Sequence, residues 1–381
     1  MAATRRVLVV VGTRPEAIKM APVVHALRSM ESAFDVRLCS TGQHREMLSQ
    51  TLADFDLAPD IELGVMAQNQ SLSELSGRLF VAIDELLARE HPDAVLVEGD
   101  TTTVQVAALC AFYRRIPVGH VEAGLRSHDL NLPFPEELNR RVTTLAVTWH
   151  FAPTQLARRN LEKEGIRADS IFVTGNTVVD ALLDTLERVR KSPPLLPPRV
   201  EGAIARNSLI VLVTGHRRES FGQGFQNICN ALLSLARSHP DATFVYPVHL
   251  NPAVREPVRE RLANIENIVL EEPLAYRAFV RLMEACRLIL TDSGGIQEEG
   301  PSLGKPVLIM RDVTERPEGV EAGVNRLVGT LPDSIVSGVS ELLFNERVYQ
   351  QMSSATNPYG DGSAGKQIAA ILRQQLENRA K

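Results

Sequence analysis

Cysteine is scarce in this chain: Cys39, Cys110, Cys229 and Cys286 are the four among 381 residues. They are scattered through apolar contexts with no metal-ligand spacing. A zinc site and a disulfide framework are therefore excluded, and buried thiols in a reducing cytoplasm are expected. Excess positive charge is missing too. The net charge of −5 gives no basic footprint for nucleic acid. No apolar run approaches the roughly 20 residues of a membrane span. Arg5-Arg6 and the apolar residues 7–11 imitate a secretory leader, but the run is short and Gly12-Thr13-Arg14-Pro15-Glu16 follows at once. Glycine-rich GxGxxG and GKS/GKT fingerprints are absent, which excludes a dinucleotide redox enzyme and a P-loop NTPase. Neither a nucleophile elbow nor an HExxH or CxxC motif occurs.

What remains is a globular composition, 44% hydrophobic and 23% charged, in a chain long enough for two full cores. Short apolar runs alternate with helical patterns. Strands are expected at 7–11, 35–40, 94–98, 118–121, 150–152 and 171–174, then at 209–214, 243–246, 268–270, 288–290 and 307–310. Amphipathic helices are expected at 72–90 and 227–237. That alternation implies α/β structure with doubly wound parallel sheets. Eleven strands exceed one tidy sheet, and Lys191-Ser-Pro-Pro-Leu-Leu-Pro-Pro-Arg199 interrupts the pattern. Two Rossmann-like domains are thus expected on either side of a hinge near 176–200. Ligands of such sheets bind beyond the carboxyl ends of the strands, and two facing domains would place them in a cleft.

The polar motifs lie at those strand ends. After 288–290 comes Asp292-Ser293-Gly294-Gly295, then a helix-like segment with Gln297, Glu298 and Glu299. Paired glycines let a ligand approach the backbone, and the helix amides that follow suit an anion. Glu298 or Glu299, one turn on, suits the hydroxyls of a ribose, so the segment suggests a nucleotide-sugar site. Arg14 and Lys19 offer cations near the start of the first helix. Asp100, in Gly99-Asp100-Thr101-Thr102-Thr103, is either a helix N-cap or an acid/base group. Glu122, in Gly119-His120-Val121-Glu122-Ala123-Gly124-Leu125-Arg126, needs a partner for its charge, and Arg126 is the obvious one in sequence. Glu136 opens a helix with Asn139 and Arg140 on one face. His216, in Gly215-His216-Arg217-Arg218-Glu219, suits proton transfer or a phosphate contact, and His249 has a similar setting. Carboxylates, histidines and arginines at strand ends suit acid/base chemistry on a phosphate-activated sugar.

Together these motifs, with Thr41-Gly-Gln-His44, Pro135-Glu-Glu137, Gly175-Asn176 and Glu315-Arg-Pro-Glu-Gly319, resemble the non-hydrolysing UDP-N-acetylglucosamine 2-epimerases over almost the whole chain. The resemblance implies a GT-B-like fold. Residues 1–176 would form an N-terminal Rossmann-like domain with 361–381 packing back on it, and 177–360 a UDP-binding domain. It implies interconversion of UDP-GlcNAc and UDP-ManNAc with no cofactor and no metal, by loss and re-addition of UDP through a 2-acetamidoglucal. Asp100, Glu122, Glu136 and His216 match the family's catalytic positions. Arg14, Lys19, Arg217, Ser293, Gly294, Gly295, Glu299 and Arg316 match its substrate-binding positions, with Glu299 on the ribose.

By the same resemblance a cytoplasmic homodimer serving cell-envelope polysaccharide is expected, with neither nucleic acid nor membrane as partner. Gln43, Gln70, Glu136 and His249 resemble positions where some members bind a second UDP-GlcNAc as activator. Glu46 and Asn69 depart from that pattern by adding an acid and losing a cation, which weakens diphosphate binding. A hydrolysing epimerase that releases ManNAc and UDP, or a glycosyltransferase of the same fold, is the alternative. A sugar-nucleotide sensor without turnover is a third.

Overall fold

The computed structural model describes residues 4–42, 45–67, 70–217 and 221–379, apart from the side chains of 45–47. The chain forms two compact units, Met1–Ala181 with Tyr359–Lys381, and Leu182–Pro358. The first contains β1 (Arg5–Val11), β2 (Phe34–Ser40), β3 (Ile61–Glu62), β4 (Ala94–Glu98), β5 (Val118–Val121), β6 (Trp149–Ala152) and β7 (Ile171–Val173). All pair in parallel, in the order β3-β2-β1-β4-β5-β6-β7. Its helices are α1 (Arg14–Arg28), α2 (Arg45–Asp54), α3 (Leu72–Glu90), α4 (Thr102–Tyr113), α5 (Glu136–Ala146) and α6 (Gln155–Lys163); α7 (Thr177–Lys191) leads into the second unit.

Local chemistry explains these elements. In α3, Ser71 and Glu74 form a capping box, and Leu75, Leu79, Ile83, Leu86 and Leu87 recur at helical spacing as its buried stripe. That stripe packs with Leu8, Val10, Val95 and Val97 of the sheet and with Val104, Ala107 and Ala111 of α4. Strands β1 and β4 are buried almost throughout, as parallel strands covered on both faces must be.

The second unit has α8 (Pro198–Ala205), β8 (Leu209–Thr214), α9 (Gln223–Ser238), β9 (Ala242–Pro247), α10 (Pro252–Leu262), β10 (Ile268–Glu271), α11 (Tyr276–Ala285) and β11 (Leu288–Thr291). It continues with α12 (Gly294–Ser302), β12 (Val307–Ile309), α13 (Pro317–Glu321), β13 (Asn325–Leu327), α14 (Pro332–Phe344) and α15 (Glu346–Ser353). Its six parallel strands run β10-β9-β8-β11-β12-β13. Phe225, Leu232, Leu235, Phe244, Val254 and Val339 are among the side chains of its core. The proline-rich stretch is fastened within this unit, where Arg281 Nη1 donates to the Pro194 carbonyl at 2.7 Å.

After α15 the chain returns to the first unit as α16 (Ala364–Arg379), which packs on α1. A Cβ on Gly365 would sit 3.0 Å from the Pro22 carbonyl carbon, so glycine permits this approach. The two doubly wound α/β sheets agree with the sequence. It missed β3 and β13, bringing the strands to thirteen among the described residues. No helix among the described residues is long and apolar enough to cross a membrane.

In each sheet the strand order reverses once, between β1 and β4 and between β8 and β11. Open α/β sheets bind ligands at such a reversal, beyond the carboxyl ends of the strands. The segments following these four strands carry Arg14, Asp100, His216 and Ser293 respectively.

Candidate active site

In the first unit the motifs after β1, β2 and β4 meet. Thr41 Oγ1 and Thr103 Oγ1 lie 3.2 Å apart. A Cβ on Gly12 would come within 2.5 Å of Thr103 Oγ1 and 2.8 Å of Thr41 Oγ1, so only glycine fits. Glu16 reaches back from α1 to the amides of Gly12 at 2.5 Å and Thr13 at 3.4 Å. Burial pushes its carboxyl up to about 7, against hydrogen bonds from Thr101, Gly12 and Thr13 that favour the anion.

One turn on, Lys19 Nζ lies 2.6 Å from Glu122 Oε2 and 3.0 Å from Glu98 Oε1. Glu122 also accepts from Asn176 Nδ2 at 2.8 Å. Its backbone is left-handed, with φ of 62°. A non-glycine residue held there stores roughly 1–3 kcal/mol of strain, a feature concentrated at functional sites. Arg126, expected as the partner of Glu122, instead forks onto Glu164, at 2.8 Å and 2.7 Å. The intervening turn through Gly124, φ +92°, separates the two side chains.

Asp100 does not cap α4. Thr101 does, accepting from the Val104 amide. Asp100 is thereby left for Arg140, whose Nη2 donates to its Oδ2 and whose Nη1 donates to Glu137 at 3.0 Å. Asn139 Nδ2 donates to the Asp100 carbonyl at 2.9 Å. Helix α5 is thus tied to the Asp100 turn, and Glu136 stands at its first position. Glu136 Oε2 is buried and finds no hydrogen-bond partner among the described residues. Behind this turn His120 Nε2 is 2.7 Å from the Gly99 carbonyl, and burial pushes the imidazole down to about 4. Arg14 is exposed at the start of α1.

In the second unit, Asp292 organises the end of β8. Its Oδ2 accepts from the amides of His216 at 2.8 Å and Arg217 at 2.9 Å, and its Oδ1 lies 3.2 Å from His216 Nδ1. Burial opposes the charge on Asp292, but the hydrogen bonds and charge of His216 together with the two amides hold its carboxyl below the usual range. A carboxylate on Nδ1 orients the imidazole and leaves Nε2 for chemistry. His249 stacks on the His216 ring at 5.5 Å between centroids. Its imidazole is lowered by burial and then by His216, with Asp292 opposing.

Helix α12 opens with Gly294 and Gly295, and the Ser293 side chain makes no capping bond there. A Cβ on Gly294 would sit 2.6 Å from Arg316 Nη1 and 3.4 Å from Arg217 Nη2, so two guanidiniums border the helix start. Arg316 Nε bonds Glu298, which leaves Glu299, not Glu298, as the ribose candidate; Glu299 Oε1 accepts from Tyr276 at 2.7 Å. Glu315 is held down at about 2: burial opposes this, and Arg316, Arg311 and Arg217 outweigh it. Arg217 and Arg316 thus flank the amino end of a helix, the setting of an anion site.

Sequence reasoning brought Lys19 and Glu122 to the same end of the sheet and put Arg140 on the face of Glu136, but missed the pairing of Arg140 with Asp100, the residues Glu98, Tyr276 and Arg311, and the organising role of Asp292. The signal for Asp292 was its place beside Ser293 in an already conspicuous motif. Gln70 caps its own turn, with Oε1 accepting from Ala67 N at 3.1 Å. Gln43, Asn69 and the Glu46 side chain lie outside the described residues.

Over residues 25–373 the sequence matches the family model described as UDP-N-acetylglucosamine 2-epimerase. A protein of Ralstonia nicotianae named a probable UDP-N-acetylglucosamine 2-epimerase is 54% identical over 376 residues, covering 97% of this chain and 99% of that protein. The UDP-N-acetylglucosamine 2-epimerase of Escherichia coli (strain K12) is 53% identical over 370 residues, covering 97% and 98%. The crystal structure of UDP-GlcNAc 2-epimerase from Neisseria meningitidis bound to UDP-GlcNAc superposes with a TM-score of 0.90 at 46% identity, covering 97% of this chain and all of that one.

Proposed function

Because the chain belongs to the UDP-N-acetylglucosamine 2-epimerase family, we propose that it interconverts UDP-GlcNAc and UDP-ManNAc by eliminating UDP and adding it back. The observation that carries this reading is Glu136, a carboxylate with one buried oxygen and no partner for it among the described residues. Buried polar atoms are normally paired, so this oxygen calls for a partner that the surrounding side chains do not supply, and a bound substrate is such a partner.

The chemistry divides into two tasks. Asp100, Glu122 and Glu136 supply the acid/base groups that remove hydrogen from C2 and return it on the opposite face. Arg140 and Lys19 hold the first two in place, a positioning that lowers the barrier before any bond changes. Departure of UDP from C1 builds negative charge on the diphosphate. Arg217, Arg316 and the amides that open α12 receive it, and His216, oriented by Asp292, donates to it. Glu299, steadied by Tyr276, accepts from the ribose hydroxyls. The glucal left behind is then attacked at C1 by the same UDP, so no atom of water enters.

Exposed apolar side chains on neighbouring helices of the first unit support a homodimer: Val81 of α3, Phe112 and Tyr113 of α4, and Leu138 and Leu145 of α5. A second UDP-GlcNAc would act as activator, its binding weakened by Glu46 and Asn69. The setting proposed is the cytoplasm, with the product feeding cell-envelope polysaccharide.

Proton NMR of UDP-GlcNAc with the pure protein in deuterium oxide tests the reaction. UDP-ManNAc should appear, with deuterium entering C2 of both sugars. Free UDP with free ManNAc would move the assignment to a hydrolysing enzyme.

A further inference from the structure

Beside the catalytic carboxylates lies a charge imbalance that the mechanism above does not use. Glu98 ends β4 and is 1% exposed; Glu16 on α1 is equally buried. Lys19 Nζ reaches Glu98 Oε1 at 3.0 Å while holding Glu122 Oε2 at 2.6 Å. Among the described residues, the groups facing Glu98 from the elements around it are Glu16 and Lys19 of α1 and Glu122 beyond β5. His120, on β5 beside it, is hydrogen-bonded to Gly99 and is held neutral by burial.

One ammonium cannot balance three buried carboxylates, since each uncompensated buried ion costs several kcal/mol. The cluster must therefore keep protons. Glu122 has the strongest claim to remain ionised, because Asn176 donates to the same oxygen that Lys19 holds. Glu16 accepts from two backbone amides. Glu98 has only Lys19 as a polar side-chain partner among the described residues. Burial favours its neutral form as well, with Lys19 opposing and the charges of Glu122 and Glu16 adding to it.

We propose that Glu98 is a positioning residue that holds a proton of its own, and so leaves the charge of Lys19 to Glu122 during exchange at C2. The proposal rests on the epimerase reading for its functional consequence. While Glu98 keeps its proton, the charge of Lys19 belongs to Glu122. Once Glu98 ionises, a second buried anion competes for Lys19 and opposes the negative charge that develops as the C2 proton leaves. Two carboxylates joined through one ammonium titrate as a pair.

Infrared difference spectroscopy of the wild type against Glu98→Gln at neutral pH reads the proton directly, without turnover. The carbonyl band of a protonated carboxylic acid should disappear in the variant; a Glu16→Gln sample separates the contribution of Glu16. In the pH profile of kcat/KM, the alkaline fall of the wild type should move upward in Glu98→Gln by roughly one pH unit or more. A band that survives the substitution, or profiles that coincide, would overturn the proposal. If Glu98→Gln does not fold, carboxyl-labelled glutamate NMR of the wild type serves instead. It should show a buried protonated glutamate titrating in step with a second one, and independent titrations would overturn the idea. Absence of epimerisation would fail the functional reading yet leave the infrared result intact.

Discussion

Asn139 Nδ2 donates to the backbone carbonyl of Asp100 at 2.9 Å, so the helix that begins with Glu136 and the turn that presents Asp100 form one rigid piece. Asn139→Ala should cost about 1 kcal/mol of stability, the worth of an ordinary hydrogen bond. Activity should suffer more, with kcat/KM falling roughly tenfold to a hundredfold, because small misplacements of catalytic groups are expensive. Urea unfolding and steady-state kinetics on one preparation check both halves. A loss in stability with unchanged kinetics would contradict the coupling.

Lys19→Met removes the cation between Glu98 and Glu122, both nearly inaccessible to solvent. Stranding buried carboxylates should destabilise the fold by about 3–5 kcal/mol. The denaturant midpoint should fall at pH 8 and recover partly at pH 5, where the carboxyls can neutralise themselves.

Two buried groups give stability opposite pH slopes. Burial pushes His150 down to about 3, so the folded chain refuses a proton that the unfolded chain accepts near pH 6.5. Its contribution is complete above pH 6.5 and is lost as pH falls through that range. Relative to His150→Gln, the wild type should weaken as pH drops from 6.5 toward 3. Glu16, pushed up from 4.5 to about 7, behaves the other way: its contribution is present at low pH and is lost as pH rises from 4.5 to 7. A shift of about 2.5 units, at about 1.4 kcal/mol per unit, is worth roughly 3 kcal/mol, which Glu16→Gln should remove. Urea midpoints of the three proteins across pH 4 to 8 read both slopes.

Gly294→Ala places a methyl 2.6 Å from Arg316 Nη1 and 2.9 Å from its Cζ. The arginine can move, so the fold should survive. The displaced guanidinium and the blocked approach to the α12 amides should weaken UDP binding at least tenfold, or about 1.4 kcal/mol. Calorimetric titration with UDP checks this, and unchanged affinity would remove α12 from the diphosphate site.

Leu145 is 80% exposed and Tyr113 69% exposed on helices that pack together. Leu145→Asp with Tyr113→Asp should turn a dimer into a monomer in light scattering. A wild type that is already monomeric would refute the proposed association.

Much of the fold was legible because parallel strands announce themselves as short apolar runs: 94–98, 118–121 and 209–214 correspond residue for residue to β4, β5 and β8. β3 and β13 escaped because they are two and three residues long and only partly buried. The site was legible as a set of motifs but not as a set of partners. Glu122 and Arg126 are four apart in sequence, yet a left-handed turn parts them, whereas Lys19 reaches Glu122 across 103 residues. Asp100 looked like a cap because Thr101, one residue later, is the cap. Such pairings depend on which strand ends become neighbours, and that is fixed by sheet order rather than local spacing.

In the proposed reaction the bond between C1 and the diphosphate breaks and re-forms. UDP-GlcNAc carrying heavy oxygen in that bridging position, incubated with the enzyme and recovered, tests it most directly by phosphorus NMR. The label should spread into the non-bridging oxygens of the β-phosphate while UDP-ManNAc accumulates. Epimerised sugar nucleotide with its label still wholly in the bridge would contradict it.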